Sequence, residues 1–204
     1  MPMRIRDLDE HPLGLTWVMD DPLLRASHAL VHDGRVWLVD PVDAPEAIER
    51  ATALGEPAGV LELFSAHGRD GEAVAKRLDI PLHKLPDVLP ESPFSVLDIS
   101  LGPWKERALW WPEPKGLVVP ESIGTATHYA IGSGPAGVHF LRRGLPPTRL
   151  KPFLPEHLLV GHGEPIHGGD AAAALLDALN RSRRDLPALI WKAPAVLRGM
   201  HGRS

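Results

Sequence analysis

The 204-residue chain has no cysteine. Disulfides, thiolate metal sites and a cysteine nucleophile are therefore excluded, and any metal must sit on imidazole and carboxylate groups. Positive charge is also in short supply. With 22 Lys and Arg against 26 Asp and Glu the net charge is −4, so no basic face is expected for a phosphate backbone, and nucleic acid is not an expected partner. The one basic cluster, Arg181, Arg183 and Arg184, reads as the solvated last turn of a helix, where the helix dipole favours it. Long apolar runs are missing too. Nothing approaches the roughly 18 residues of a membrane span, and residues 1–10 are charged without a secretory pattern, so a cytoplasmic protein away from membranes is expected. There is no Gly-x-Ser-x-Gly elbow and no phosphate loop ending in Lys-Ser or Lys-Thr; Gly132-Ser133-Gly134-Pro135 reads as a turn.

What is present is an ordinary globular balance, 44 % hydrophobic and 24 % charged, enough for a single domain over residues 1–204 with a sizeable core. The 22 prolines and 19 glycines are spread along the chain, so they separate many short elements. Residues 13–19, 27–32 and 35–40 read as strands, the last two joined at Asp33-Gly34, which supplies the positive φ angles of a tight hairpin turn. Asp43 followed by Glu46 looks like the start of a helix over 44–54. A strand over 59–64, a helix over 72–78 and a strand over 81–85 complete an alternating α/β first half. The second half is richer in strands, at 94–99, 108–111, 116–119, 138–141 and 157–160. A helix follows over 171–182 with Asp170 as its expected N-cap. The tail from Pro187, with Trp191 and Leu197, is expected to pack on the body.

Four segments in order are similar to the metallo-β-lactamase family. They are Val36-Trp37-Leu38-Val39-Asp40-Pro41, a strand ending in aspartate, and Val60-Leu61-Glu62-Leu63 with the loop and Gly71-Glu72-Ala73-Val74 after it. The third is Gly116-Leu117-Val118-Val119-Pro120-Glu121, and the fourth is Leu158-Leu159-Val160-Gly161-His162-Gly163. The resemblance runs over residues 13–184. It implies an α/β (α+β) fold of the four-layer αββα sandwich type. Active members carry a His-x-His-x-Asp-His loop, whose imidazoles and carboxylate converge on one or two metal ions. Aligned by its helix side, this chain places Phe64, Ala66, Gly68 and Arg69 at those four positions, and none of these side chains can ligate. A shift by one residue brings His67 into the site. Glu121 stands where the family has a bridging aspartate, and His162 is the one ligand unchanged. The resemblance thus implies a degenerate member with Glu121, His162 and His67 as residual metal ligands. Zinc or another divalent metal is the implied cofactor. Asp40, Arg69 and Asp70 are expected to support the cleft, the Arg69 guanidinium filling the emptied position and pairing with Glu121.

Three functions follow from this reading. One is a protein without dinuclear hydrolysis that binds a small-molecule ligand or a partner through its cleft. Another is a weakened or mononuclear metal-dependent hydrolase of the ester, thioester or lactone class, the class resting on fold analogy alone. The third is an interaction protein with a self-filled cleft. Phe64, Trp104 and Trp111 are candidate pocket linings, with core packing as the alternative. His128, His139, His157 and His167 flank strands and turns, and His167, five residues after His162, could share its site.

Overall fold

The computed structural model describes residues 4–67, 69–131 and 134–186. The expected packing of Trp191 and Leu197 falls outside these residues, as does Gly68. In chain order the elements are β1 (Ile5–His11), β2 (Gly14–Met19), β3 (Ala26–His32), β4 (Arg35–Val39), α1 (Pro45–Ala53), β5 (Glu56–Glu62), α2 (Gly71–Leu78) and β6 (Leu82–Lys84), then β7 (Ser95–Asp98), β8 (Arg107–Trp111), β9 (Gly116–Val119), β10 (Ile123–Gly124), β11 (Gly137–Val138), β12 (His157–Val160), β13 (Ile166–His167) and α3 (Asp170–Arg181). The first six strands form one sheet in sequence order. The second sheet runs β13-β12-β9-β8-β7, and β10 pairs with β11 apart from both. β1 to β4 are antiparallel, whereas β5 and β6 join in parallel, which requires a crossover that α1 and α2 provide.

Period-two alternation sorts the side chains into layers. On β4, Val36 and Leu38 face Ala47, Ile48 and Ala51 of α1 and Val74 and Ala75 of α2. Trp37 and Val39 on the same strand point the other way, into a layer with Leu61, Leu109, Val118 and Leu159. In the second sheet Leu117, Val119, Leu158 and Val160 turn outward to Ala174, Leu175 and Ala178 of α3. Three apolar layers between helices, sheet, sheet and helix make a four-layer αββα sandwich. Its middle layer is fully buried, with Leu159 and Leu109 at 0 % exposure. Truncating either to alanine is expected to cost about 2–5 kcal/mol.

The expected turn at Asp33-Gly34 is present, both residues having positive φ (47° and 72°). Several boundaries differ from the expectations. Asp43 does not cap α1: Ala44 holds that position with Pro45 at the first turn, and the Asp43 carboxylate instead takes the Arg77 guanidinium of α2. Gly169 precedes α3, and Asp170 is its first residue. The strand expected at 138–141 ends at Val138, because His139 caps a short 3-10 turn, Phe140–Arg142. β1 was not expected at all, since its strand is charged and only half-buried. No helix among the described residues is long and apolar enough to cross a membrane.

Candidate metal centre

The chemistry-bearing loops follow the carboxyl ends of two pairs of parallel strands, β4 with β5 and β9 with β12. Asp40 follows β4, His67 lies in the loop after β5, Glu121 follows β9 and His162 follows β12. Carboxyl ends of parallel strands are where such sheets place their ligands. Two of these loops touch closely. A Cβ on Gly161 would lie 1.9 Å from the Pro120 carbonyl oxygen, so only glycine lets the β12 loop approach the β9 loop and set His162 against Glu121.

One carboxylate oxygen collects both imidazoles. Glu121 Oε2 lies 2.8 Å from His67 Nε2 and 3.0 Å from His162 Nε2. One ligand atom from each of the three residues lies within 4.8 Å of the other two. The far side of each ring faces an oxygen: His162 Nδ1 donates to the Leu23 carbonyl at 2.9 Å, and His67 Nδ1 lies 3.1 Å from Asp40 Oδ2, a charge contact outside hydrogen-bond alignment. A neutral imidazole with its proton on Nδ1 carries a lone pair on Nε2. Both lone pairs then aim at a carboxylate oxygen that also only accepts. The gap has to be filled by protons or by a cation.

Glu121 is held from its other oxygen as well. The Tyr129 hydroxyl donates to Oε1 at 2.6 Å. His139, whose Nδ1 accepts from the Leu141 N–H, turns Nε2 toward the same Oε1 at 3.5 Å. Beneath the loop, Glu106 is fully buried. Its Oε1 accepts the backbone N–H of Glu121 (2.9 Å) and of Ser122 (2.7 Å), and its Oε2 accepts from the Ser122 hydroxyl and Trp104 Nε1.

These contacts set the local charges. Burial raises the Glu121 carboxyl, but hydrogen bonds from His162 and His67 outweigh it and hold it well below the usual range. Burial and Arg69 work against the His67 imidazolium, yet Asp40 and Glu121 prevail and its pKa is raised. For Asp40, burial is likewise outweighed, by His67 and then Arg69, and its pKa is lowered. Burial and the facing Glu121 push Tyr129 well up, so it stays a donor. Burial lowers His128 and His139 to about 4, with His162 further lowering both; both are neutral at pH 7.

The other expected residues fall as follows. Arg69 is not in bulk solvent, but neither does it bond Glu121. Its guanidinium spans the carbonyls of Ala26, Asp40 (3.0 Å) and Gly161 (2.8 Å), tying three loops together beside the centre. The expected pairing with Glu121 is corrected accordingly: three carbonyls of bent loop backbone satisfy the fork. Asp70 accepts the Asp43 N–H at 2.9 Å and fixes the start of α2 to the β4 loop. Phe64 packs edge-on to His67 (5.2 Å between ring centres) and against Trp104 (4.7 Å), and Trp104 reaches His139 (4.9 Å). Trp111 does not join them; it lies in the inter-sheet layer against Phe94 and His32, as core packing requires. His167 does not share the site of His162 but sits with Asp9, His11 and His157. Sequence reading had no hold on Glu106 or Tyr129 and left His139 as a flanking residue; the one available signal was that Tyr129 is the chain's single tyrosine.

No protein-family model matches the sequence, and no curated protein matches it significantly. Solved structures do. The metallo-β-lactamase from Erythrobacter litoralis superposes with a TM-score of 0.56 at 13% identity, covering 88% of this chain and 96% of its own. The DIM-1 metallo-β-lactamase gives 0.55 at 13% identity, over 90% and 98%. The chain has the metallo-β-lactamase fold. A third structure of this fold, TTHA1623 in a di-iron-bound form, gives a TM-score of 0.53 at 16% identity over 77% of this chain and 94% of its own.

Proposed function

We propose that the chain is a metal-dependent hydrolase of reduced nuclearity, holding one divalent ion such as zinc on His67, Glu121 and His162. The observation that supports this is the convergence of two Nε2 atoms on Glu121 Oε2, with acceptors behind both rings. That arrangement is how proteins fix imidazole ligands toward a metal. Two imidazoles and a carboxylate are a donor set that zinc accepts, and three protein ligands leave a position for substrate. A second ion is not provided for in the same way, since Phe64 offers no lone pair and Arg69 is a fixed cation.

When bound, the ion supplies Lewis acidity, polarising a substrate carbonyl and acidifying water. The chain's own residues do the rest. Tyr129 and Glu106 hold the Glu121 carboxylate and its backbone in place. Phe64 and Trp104 put apolar surface beside His67 and His139, which suits a small organic ester, thioester or lactone better than a charged polymer. His128, its ring centre 6.0 Å from that of His162, adds a neutral imidazole at the edge of the centre.

A metal-free reading has its own support: the raised pKa of His67 between Asp40 and Glu121 fits an imidazolium that closes the network internally. Elemental analysis of chelator-free protein, with His162→Ala and His67→Gln beside it, separates the two. The expected result is that each variant holds one metal fewer per chain than the parent, and that hydrolysis of aryl esters or thioesters tracks that metal. A metal content that neither variant lowers refutes the hydrolase and leaves the ionic lock.

A further inference from the structure

A second histidine cluster lies where the edges of the two sheets meet. Asp9 and His11 are two apart on β1, so they share one face of that edge strand. His157 on β12 is the direct cross-strand partner of His167 on β13, the edge of the other sheet. His167 Nε2 lies 2.8 Å from Asp9 Oδ2, and its Nδ1 lies 2.7 Å from His157 Nδ1. The His11 and His167 ring centres are 4.9 Å apart. Asp9, His11 and His167 each bring one ligand atom within 4.8 Å of the other two.

Hydrogen-bond polarity indicates which ring atoms carry a lone pair. The Val160 carbonyl, 3.1 Å from His28 Nε2, can only accept, so that nitrogen carries the proton. His28 Nδ1 then accepts the Thr16 hydroxyl at 2.8 Å, and Thr16 Oγ1 accepts from His11 Nε2 at 2.9 Å. The lone pair of His11 is thereby on Nδ1, where it accepts the Leu13 N–H at 3.3 Å, a bond that a bound metal would replace. His167 has two tautomers here: one donates Nε2–H to Asp9, and the other donates Nδ1–H to His157 and turns the Nε2 lone pair to the carboxylate, the form that a metal would select. His157 holds the ring from behind, as Leu23 does for His162.

We infer that Asp9, His11 and His167 form a second divalent-metal site, separate from the Glu121 centre, whose ion cross-links β1 of one sheet to β13 of the other. Two imidazoles and a carboxylate without thiolate select zinc and its first-row neighbours over calcium or magnesium. An ion bound to the folded chain stabilises it by mass action, so the role is a staple between sheets and does not depend on the hydrolase reading.

Zinc is the probe, titrated by calorimetry into chelator-stripped full-length protein, with thermal melts alongside. In the His162→Ala protein, which lacks a ligand of the first centre, one zinc equivalent should bind and raise the melting temperature. Adding Asp9→Asn or His167→Gln should abolish both effects. In the parent background Asp9→Asn should lower the zinc count by one, so the test stands even if His162→Ala fails to fold. Folded His162→Ala protein that takes up no zinc, or zinc binding untouched by Asp9→Asn and His167→Gln, overturns the site. Should the first centre alone be wrong, the parent and His162→Ala proteins bind the same single equivalent, and Asp9→Asn removes it.

Discussion

The two histidine clusters use the same elementary unit, an imidazole Nε2 set against a carboxylate oxygen, and differ in what surrounds it. Around Glu121, side-chain exposure is 7% for His67, 10% for Glu121 and 7% for His162. The groups there are braced from behind: Leu23 hydrogen-bonds His162, the Asp40 charge faces His67, Tyr129 donates to Glu121, and Glu106 lies under the loop. At the sheet edge, Asp9 and His167 are each 29% exposed, and the ring is backed by another titratable ring. The first is a preorganised centre in which low dielectric strengthens each contact; the second is an edge contact that water can enter. The lesson is that a donor set alone does not define a reactive centre. The brace behind it does, and the brace can be tested residue by residue.

Glu106 is where the brace is most exposed to attack. Glu106→Ala leaves two backbone N–H groups, the Ser122 hydroxyl and Trp104 Nε1 without their acceptor in a buried place. The expected loss is about 3–5 kcal/mol of stability in urea unfolding, with metal uptake by the first centre failing in whatever still folds. A loss below about 1 kcal/mol would mean that water reaches the loop and the contrast in burial is false.

That brace was also the least legible part of the sequence. The layers could be read because Val36-Trp37-Leu38-Val39 and Leu158-Leu159-Val160 alternate between two apolar surroundings. The loops at Asp40, Glu121 and His162 could be read because each directly ends a strand. Alignment from the helix side, however, put Phe64 and Arg69 in ligand places and left His67 between them; the direction a loop side chain takes is settled by Asp40 and Glu121, which are distant in sequence. Glu106, Tyr129 and His139 come from the residue before β8, the loop after β10 and the residue after β11, with no shared spacing to connect them. β1 escaped notice because a half-exposed edge strand has no continuous apolar face, and the same polarity supplies Asp9 and His11.

His28 joins the two regions, through Thr16 to His11 and through the Val160 carbonyl to the strand before His162. Burial first, then His11 and Arg69, lowers its pKa from 6.5 to about 3. The unfolded chain therefore binds a proton between these values that the folded chain refuses. Stability from this group is complete above pH 6.5 and is lost as pH falls toward 3, at up to about 1.4 kcal/mol per pH unit. Urea midpoints at pH 7.5, 6 and 5 should fall in that order, and His28→Gln should flatten the trend. An unchanged slope in His28→Gln would assign acid sensitivity elsewhere.

Tyr129→Phe asks whether the Glu121 carboxylate needs to be held from behind. It removes one buried hydrogen bond to a charged group, worth about 1.5–3 kcal/mol. It should also weaken zinc binding at the first centre by about 10–100-fold while leaving the sheet-edge site unaltered. Equal weakening at both sites would show that they are coupled through the sandwich and are not separate centres.

The smallest effect is expected at the sheet edge without metal. Asp9→Asn keeps the size of the side chain and offers His167 Nε2 a polar partner in either tautomer, and the group it alters is part-exposed, so the charge contributes little in screening water. In chelator-treated protein the change in unfolding free energy should stay within about 1 kcal/mol, against several for Glu106→Ala. With zinc present the gap between Asp9→Asn and the parent should widen, because the parent alone gains the staple. If Asp9→Asn instead destabilises the metal-free chain as strongly as Glu106→Ala does, the edge contact is itself a structural brace. The distinction between the two clusters would then be one of position and not of preorganisation.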